Sequence, residues 1–224
     1  MPLLAGRTIV VLDTETTGFD PRQGHELVEV ARVTVVDGVI RDEWSSLVRP
    51  ARPIPAEASA IHGITDAMTA NAPPPADVAA QLRAGCGDHP LAFHNAPFDL
   101  PFLGALLRGA GQPLFDGVVL DTLGLARGLF GSGGNSLSAL ARRLALPPEA
   151  AHRALGDART TARAMLILVE RWERERGATS LEEVAAASLD QVRLTRRSRP
   201  GAPAFDASEG GAATVPGEPQ TPRG

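Results

Sequence analysis

The fold is decided by residues 7–18, which read RTIVVLDTETTG. Four apolar residues, Ile9 to Leu12, lead directly into Asp13 and Glu15. A short, unbroken run of apolar and β-branched residues predicts a central strand that is buried on both faces, and Gly18 permits a sharp exit from it. Because Asp13 and Glu15 are two residues apart, their carboxylates share one face of an extended chain. Like charges so close are unfavourable without a cation between them, which favours a hard divalent metal; a strand-to-turn corner with solvated acids is the alternative.

The composition is typical of a globular chain. It has 224 residues, of which 43% are hydrophobic, and this length gives room for one domain and an extension. No stretch approaches the roughly 18 consecutive apolar residues of a membrane span, and we expect no signal peptide before the first strand. The single cysteine, Cys86, cannot form an internal disulfide, so we expect a cytoplasmic protein.

The charge is uneven along the chain. All 22 basic residues are arginines and the net charge is −4, so the chain as a whole is not a basic nucleic-acid binder. Residues 139–199 nevertheless hold 12 arginines against 8 acids. Either a polyanion approaches this part of the molecule, or the arginines form a solvated helical face.

Hydrophobic patterning predicts the remaining elements. Asp37-Gly38 is a hairpin signal between two valine-rich strands, whereas the prolines between residues 49 and 75 predict a loop. Further along, short apolar strands alternate with helices, of which the last is the longest amphipathic one. The predicted strands lie at 25–36, 39–48, 91–94 and 118–120, and the predicted helices at 77–84, 100–107, 123–130, 136–144 and 156–172.

An antiparallel meander followed by strands that alternate with helices predicts an α/β fold, with a mixed β-sheet flanked by α-helices. We assign residues 1–177 to this domain and residues 178–195 to a short helix or linker. Residues 196–224 are rich in proline, glycine, alanine and serine, which is typical of a disordered tail.

Two further acids and a histidine lie at predicted element boundaries. Asp99 follows a second buried strand. The residue before Pro97 is biased towards extended backbone, and Asn95 is a good helix cap. Asp99 should therefore lie near the first turn of a helix. His152 and Asp157 would point about 140° apart on one helix. They can share a site only if His152 lies in the loop before the helix. Taken singly, Asp99 could be a cap and His152 a surface or packed residue.

The ordered set resembles the DEDDh 3′–5′ exonucleases, the DnaQ-like group of the RNase H-like fold, which includes the proofreading epsilon subunit of bacterial DNA polymerase III. The motifs that carry the resemblance are DTETTG at 13–18, HNAPFD at 94–99 and HRALGD at 152–157. Segments at 61–65 and 121–123 also resemble family segments, and the resemblance covers about residues 7–172.

The resemblance implies a metal-dependent 3′–5′ exonuclease that releases nucleoside 5′-monophosphates from DNA 3′ ends, in proofreading or repair. Asp13 would bridge two divalent cations, Mg²⁺ or Mn²⁺. Glu15 and Asp157 would complete one metal site, and Asp99 would serve the other, partly through water. His152 would take the proton of the attacking water, a task that suits an imidazole with an unperturbed pKa of about 6.5.

Further residues near the motifs are expected to contact the substrate, and the resemblance supports this for His62. His62, Phe98 and Asn95 each have a structural alternative. The N–H groups of Thr16 and Thr17 would hold the terminal 3′-hydroxyl, and His62 would contact the last base or sugar or else pack in its loop. Phe98 would stack on a base or pack in the core. Asn95 would be first a helix cap and second a substrate contact.

Two other functions stay open. The substrate could be RNA, as in related exoribonucleases. The chain could also be a non-catalytic module that docks on a polymerase, although such a module has no physical need for four converging carboxylates. In either case residues 178–224 could tether the domain to a DNA polymerase subunit.

Overall fold

The computed structural model describes residues 2–198, with side chains for residues 2–193. Within this part lie one five-stranded sheet, eight α-helices and two single-turn 3-10 helices. Of the predicted tail, residues 199–224 lie outside the described residues, and residues 196–198 belong to the last helix. The strands are β1 (Thr8–Thr16), β2 (Leu27–Val36), β3 (Val39–Leu47), β4 (Leu91–Phe93) and β5 (Val119–Asp121). The helices are α1 (Ala56–His62), α2 (Asp66–Thr69), α3 (Pro75–Cys86), α4 (Ala96–Gly109), α5 (Thr122–Phe130), α6 (Leu137–Arg143), α7 (Ala154–Arg176) and α8 (Leu181–Ser198).

The sheet has the strand order β3-β2-β1-β4-β5. β1 pairs antiparallel with β2, and β2 pairs antiparallel with β3. β1 pairs parallel with β4, and β4 pairs parallel with β5. Asp37 and Gly38 have φ angles of 52° and 74°, as the predicted hairpin turn requires. The mixed sheet with an antiparallel meander and following parallel strands is therefore confirmed.

The central strand divides the core into two layers. Ile9 to Leu12 are at most 1% exposed, so the predicted burial of β1 on both faces is confirmed. Ile9 and Val11 pack in the cluster that contains α5, α7 and α8. Val10 and Leu12 pack in the cluster that contains α3 and α4. Residues that follow on β1 therefore point alternately towards α7 and towards α4.

Two helices begin next to prolines, at positions where the sequence analysis expected a loop or an extended chain. Residues 49–75 were predicted to be a loop, but α1 and α2 lie within them, and Pro55 is the N-cap residue of α1. The prediction of extended backbone before Pro97 is wrong as well, because α4 already begins at Ala96. A proline in the first turn of a helix is tolerated because the first N–H groups have no partner within the helix.

The helix after α7 is part of the packed structure. α8 runs to Ser198, beyond the short helix or linker predicted for residues 178–195, and Leu181 and Val184 are fully buried in the α7 cluster. Its backbone lies so close to α5 that a Cβ atom on Gly124 would be 1.9 Å from the carbonyl oxygen of Ser188. None of the described helices is long and apolar enough to cross a membrane.

Candidate active site

The first motif lies where the parallel neighbour of β1 ends. Pairing between β1 and β4 includes Val10 with Leu91 and Val11 with Ala92, and β4 stops at Phe93. Asp13 and Glu15 therefore extend past the end of β4, on the α7 side of β1. Open sheets bind ligands in the crevice beyond the carboxyl ends of parallel strands, and this crevice is where the acids lie.

Three acids from distant parts of the sequence meet at this crevice. One carboxylate oxygen from each of Asp13, Glu15 and Asp157 lies within 4.8 Å of the other two. Asp157 is in the first turn of α7, which begins at Ala154, and His152 precedes the helix, as the spacing required. We call Asp13, Glu15 and Asp157 the acid group; its geometry could hold a metal ion.

The pKa of every member of the acid group is raised, chiefly by burial and then by neighbouring carboxylates. Burial is the largest cause for Asp13, whose pKa is raised well above its usual value, followed by the charges of Asp99 and Asp157. Burial and then Asp157 raise the pKa of Glu15 to about 8. Burial raises the pKa of Asp157 to about 6, against the opposing effect of the N–H of His152. A hard divalent cation would relieve this repulsion, and an all-oxygen donor set suits one.

The fourth acid reaches the crevice from the other face of the sheet. Asp99, on α4, is 4% exposed, and its Oδ1 accepts a hydrogen bond of 2.7 Å from the hydroxyl of Thr14. Burial raises the pKa of Asp99 to about 7. Asp99 is not a member of the acid group, but its charge is the main carboxylate contribution to the raised pKa of Asp13. The structure thus places it beside the group.

Asp121 is a buried acid whose role the sequence analysis missed. It is fully buried, and it accepts N–H hydrogen bonds from Asn95 (3.1 Å), Ala96 (2.8 Å), Leu123 (2.9 Å) and Gly124 (3.3 Å). It therefore caps both α4 and α5. The predicted side-chain cap by Asn95 is wrong, because that residue has a φ of 73° and makes no such bond. The signal for Asp121 was available, since an aspartate between a strand and a helix is a capping pattern.

His152 lies in a tight loop against the start of α7. Its φ is 56°, its side chain is exposed, and its backbone N–H donates to Oδ2 of Asp157 at 3.1 Å. A Cβ atom on Gly156 would lie 2.1 Å from the carbonyl oxygen of Ala150, so the loop is in close contact with the first helical turn. The structure thus brings His152 and Asp157 together through a backbone bond.

Glu29 is a second acid that the sequence analysis did not single out. It lies directly across from Glu15 in the β1–β2 ladder, is 4% exposed and forms an ion pair with Arg153. A glutamate among the apolar residues at the start of a buried strand is unusual, because glutamate is almost never fully buried unless it is paired. That anomaly in the sequence LVEVARV was the available signal.

The polar groups of Thr16 and Thr17, which follow Glu15, form hydrogen bonds within the turn. The N–H of Thr17 donates to the carbonyl of Glu26 at 2.9 Å, so in this conformation it is not available for a substrate oxygen. The hydroxyl of Thr16 donates to the carbonyl of Gly18 at 2.7 Å. Gly18 itself has no positive φ; it is required because a Cβ atom there would lie 2.4 Å from the ring of His25.

Two of the expected substrate contacts, His62 and Phe98, pack against other residues of the protein, and so does His94, the neighbour of Asn95. His62 is 4% exposed, its Nδ1 accepts from the N–H of Ile64 at 3.0 Å, and burial lowers its pKa; the ring proton therefore resides on Nε2. Phe98 is half-buried with its ring 5.6 Å from that of Phe102. His94 has a pKa lowered to about 4 by burial, and its Nδ1 bonds the hydroxyl of Thr122.

Of the arginines after residue 139 whose side chains the structure describes, most are paired within the protein. Arg159 bonds Glu43 and Glu149, and Arg163 bonds Glu149 as well. Arg171 pairs with Glu175 and lies over the ring of Phe130. This pairing favours the solvated helical face over a polyanion-binding surface.

Known proteins resemble this chain along most of the folded region. A family model described as Exonuclease (RNase T) matches residues 10–165. A DNA polymerase III subunit epsilon-like protein of Rhodobacter capsulatus is 44% identical over 196 residues, 84% of this chain and 27% of that protein. The DNA polymerase III subunit epsilon of Rickettsia felis is 36% identical over 156 residues, 66% of this chain and 68% of that subunit. A solved structure of exonuclease X in complex with 5′ overhanging duplex DNA is 34% identical with a TM-score of 0.63, and the match covers 80% of this chain and 99% of that one.

These matches differ in the share of the relative's length that the chain covers. The chain spans about a quarter of the length of the Rhodobacter protein, whereas it accounts for nearly all of the exonuclease X chain. The predicted resemblance to the DnaQ-like exonucleases is confirmed by the family model and by these relatives. The chain belongs to the RNase T exonuclease family, with its RNase H-like fold.

Proposed function

We propose that this chain is a metal-dependent 3′–5′ exonuclease that hydrolyses DNA from its 3′ end and releases nucleoside 5′-monophosphates. The observation that carries the proposal is the acid group, whose three carboxylates lie within 4.8 Å of one another at the end of the central strand. Burial and like charge raise all three pKa values. A folded protein gains nothing from this repulsion unless a cation occupies the group.

The donor set indicates which cations would bind. Asp13, Glu15 and Asp157 would hold one divalent ion, and Asp13 with the neighbouring Asp99 would serve a second. Carboxylate oxygens suit Mg²⁺ or Mn²⁺. When bound, two such ions would make the attacking water nucleophilic and stabilise the leaving oxygen.

His152 is the proposed acceptor of the proton from the attacking water. The proposal is supported by the exposure of its side chain, by its backbone bond to Asp157 and by the effect of its charge, which lowers the pKa of Asp157. Imidazole changes charge near neutral pH, which is the range in which a general base is effective. Half-buried Phe98, next to Asp99, is the proposed stacking surface for a base, and His62 and Thr16 are the proposed contacts to the last nucleotide.

DNA is the proposed substrate because the relatives point in that direction. Two of them are named as epsilon or epsilon-like subunits of DNA polymerase III, and the related exonuclease X was solved with duplex DNA. A role in proofreading or repair follows from the same relatives. A cytoplasmic location is part of the proposal and depends on the lone cysteine of the sequence.

A nuclease assay with matched variants tests the proposal. Purified chain would be given 3′-labelled DNA with single-stranded, paired and mispaired ends, and RNA of the same sequence, with Mg²⁺, with Mn²⁺ or with EDTA. We expect release of labelled 5′-mononucleotide that EDTA stops, and its loss in Asp13→Ala and in Asp157→Ala. Asp116→Ala removes an exposed acid outside the crevice and should retain activity.

The possible results separate the parts of the proposal. Robust degradation by both site variants, with circular dichroism showing that they fold, would contradict the site. Degradation that EDTA does not affect would contradict the metal requirement. Faster digestion of RNA than of DNA would retain the site and change the substrate.

A polymerase subunit is the proposed protein partner, bound through the C-terminal extension. Because α8 is packed in the core, a deletion that tests this tether should begin at residue 199 and leave α8 in place. We expect co-migration with a polymerase subunit for the full chain and its loss for the deleted chain. Co-migration of both would contradict the tether.

A further inference from the structure

We propose that Glu29 is a positioning residue for His152: through Arg153 and the N–H of Ala154 it fixes the loop that presents the imidazole to the acid group. This inference depends on the proposed function, in which His152 accepts the proton. It concerns residues of the chain itself, and part of its test is independent of activity.

Glu29 lies inside the sheet next to the site. It is directly across from Glu15 in the antiparallel ladder, and residues that face each other in such a ladder project to the same side. Its carboxylate is therefore on the α7 side of the sheet, together with Asp13 and Glu15. It is 4% exposed, so it must be satisfied by protein groups.

Both carboxylate oxygens of Glu29 are occupied by the start of α7. Nη2 of Arg153 lies 2.7 Å from Oε1, and Nε lies 3.1 Å from Oε2. The backbone N–H of Ala154 donates to Oε2 at 2.9 Å. Two parallel bonds from a guanidinium define both position and orientation, and a carboxylate is favourable at a helix N-terminus. The side chain of Arg153, the N-cap residue, makes no capping bond. The carboxylate of Glu29, from strand β2, caps the helix in its place.

The residues held by Glu29 adjoin the imidazole. His152 has a φ of 56°, in the left-handed region that few non-glycine residues adopt, and its own N–H is bonded to Asp157. Three consecutive residues, 152 to 154, are thus tied to two carboxylates. Without Glu29 the bond to Asp157 alone would hold the backbone of His152, and the direction of its ring would be less defined.

The charge of Glu29 contributes to the raised pKa of all three members of the acid group, but its hydrogen bonds distinguish it from them. The members of that group have raised pKa values, whereas Glu29 is paired with Arg153 and bonded by an N–H. A carboxylate whose oxygens are already occupied has less capacity to bind a cation. Glu29 therefore acts through the loop.

A second ion pair on α7 provides a matched control. Arg159 binds the carboxylate of Glu43 with Nε at 3.0 Å from both oxygens, and it joins β3 to α7 less than two turns beyond the loop. It has the same residue types as the Arg153–Glu29 pair and also joins the sheet to α7, although Arg159 contacts Glu149 as well. It does not touch residues 152–154.

The experiment compares Glu29→Gln with Glu43→Gln in the full chain. Glutamine keeps the size and removes the charge. We expect Glu29→Gln to lower kcat by about tenfold or more, a part of the 10²–10⁴-fold that a general base contributes, with KM changed by less than about twofold. Glu43→Gln should change both by less than about twofold. Arg153→Lys, at a side chain that is 43% exposed, should act in the same direction if Glu29→Gln is poorly folded.

A double-mutant cycle tests whether the effect passes through His152. In a His152→Ala background, Glu29→Gln should cost less than about a further twofold, because the group that it positions is gone. Hydrogen exchange of a peptide covering residues 150–157 gives a readout that needs no activity. Exchange there should be faster in Glu29→Gln than in the parent or in Glu43→Gln.

Each result has one reading. The inference is overturned by unchanged kcat in both Glu29→Gln and Arg153→Lys, by an equal loss in Glu43→Gln, by a full additional loss in the His152→Ala background, or by unchanged exchange at 150–157. Full activity of His152→Ala would overturn the role of His152 in the proposed function and this inference with it. An impaired His152→Ala beside fully active Glu29→Gln and Arg153→Lys would overturn only the inference.

Discussion

The metal-free protein should become less stable as the pH rises from 6.5 to 8.5. The reason is the acid group: a buried carboxyl that is repelled by its neighbours holds its proton more tightly in the folded chain than in the unfolded one. The pKa of Glu15 is raised from 4.5 to about 8, and that of Asp99 from 3.8 to about 7. In this pH range the folded state binds more protons than the unfolded state, so the free energy of unfolding falls with increasing pH.

The magnitude follows from the part of each shift that lies above pH 6.5. His94 has the opposite effect, because its pKa is lowered to about 4 in the folded protein. Its contribution makes the protein more stable as the pH rises, but only up to the pKa of an unfolded histidine, about 6.5. Measurements that start at pH 6.5 therefore avoid it. The interval from pH 6.5 to the pKa of Glu15, about 8, is about 1.5 pH units. At ~1.4 kcal/mol per unit, Glu15 alone lowers the free energy of unfolding by about 2 kcal/mol over this interval. Asp99 and Asp13 act in the same direction. For a domain of this size about 2 kcal/mol corresponds to a Tm lower by about 4–8 °C.

Thermal denaturation followed by circular dichroism at pH 6.5, 7.5 and 8.5 in EDTA would measure this. Glu15→Gln should remove most of the slope, whereas Glu175→Gln, at an exposed helical pair whose pKa is lowered to about 2, should not alter it. Mn²⁺ should raise Tm most at pH 8.5, because a ligand of the folded state stabilises it and the ionised carboxylates bind it best. A Tm in EDTA that is constant or rises from pH 6.5 to 8.5, or that falls equally in Glu15→Gln, would refute the reasoning.

Three further substitutions have expected outcomes. Asp121→Asn should lower the free energy of unfolding in urea by about 3 kcal/mol, because an amide cannot accept all four N–H groups that the buried carboxylate accepts; a loss below about 1 kcal/mol would contradict the double cap. Gly124→Ala should cost about 1–3 kcal/mol by the same measurement, since its Cβ would lie 1.9 Å from an oxygen of α8, whereas Gly109→Ala, with no atom within 4 Å, should cost nothing. Thr14→Val removes a bond that lowers the pKa of Asp99, so the Mn²⁺ affinity measured by calorimetry should require a higher pH, and Thr14→Ser should restore the wild-type pH dependence.

The sequence was sufficient for the parts of the fold and site that depend on local pattern. The apolar run of β1 determines its burial, and the alternation of side chains along a strand places Asp13 and Glu15 on one face. The five-residue spacing of His152 and Asp157 requires a loop before α7 because a single helix would separate them. These predictions used only short-range geometry, and the structure agrees with the placement of all four residues.

The sequence was not sufficient where a residue acts on a distant part of the chain. Asp121 caps α4 from β5, 25 residues after Ala96, and Glu29 caps α7 from β2, 125 residues before Ala154. Neither pairing leaves a periodic signal, since it depends on which strands become neighbours. The burial of α8 was missed for the same reason: a short amphipathic helix after a glycine has the same pattern whether it packs on the domain or extends from it.

The buried acids fall into two kinds, and the difference supports the crevice as the proposed site. Glu29 and Asp121 are buried, but a guanidinium or several N–H groups occupy their oxygens. Burial still raises the pKa of Asp121, and its four N–H bonds oppose that rise. Asp13 and Glu15 have other carboxylates as neighbours, and burial, followed by the charges of these neighbours, raises their pKa values. A chain that compensates some buried acids in this way could have compensated all of them. The proposed function accounts for the difference, because a divalent cation needs free carboxylate oxygens and would relieve the repulsion within this group.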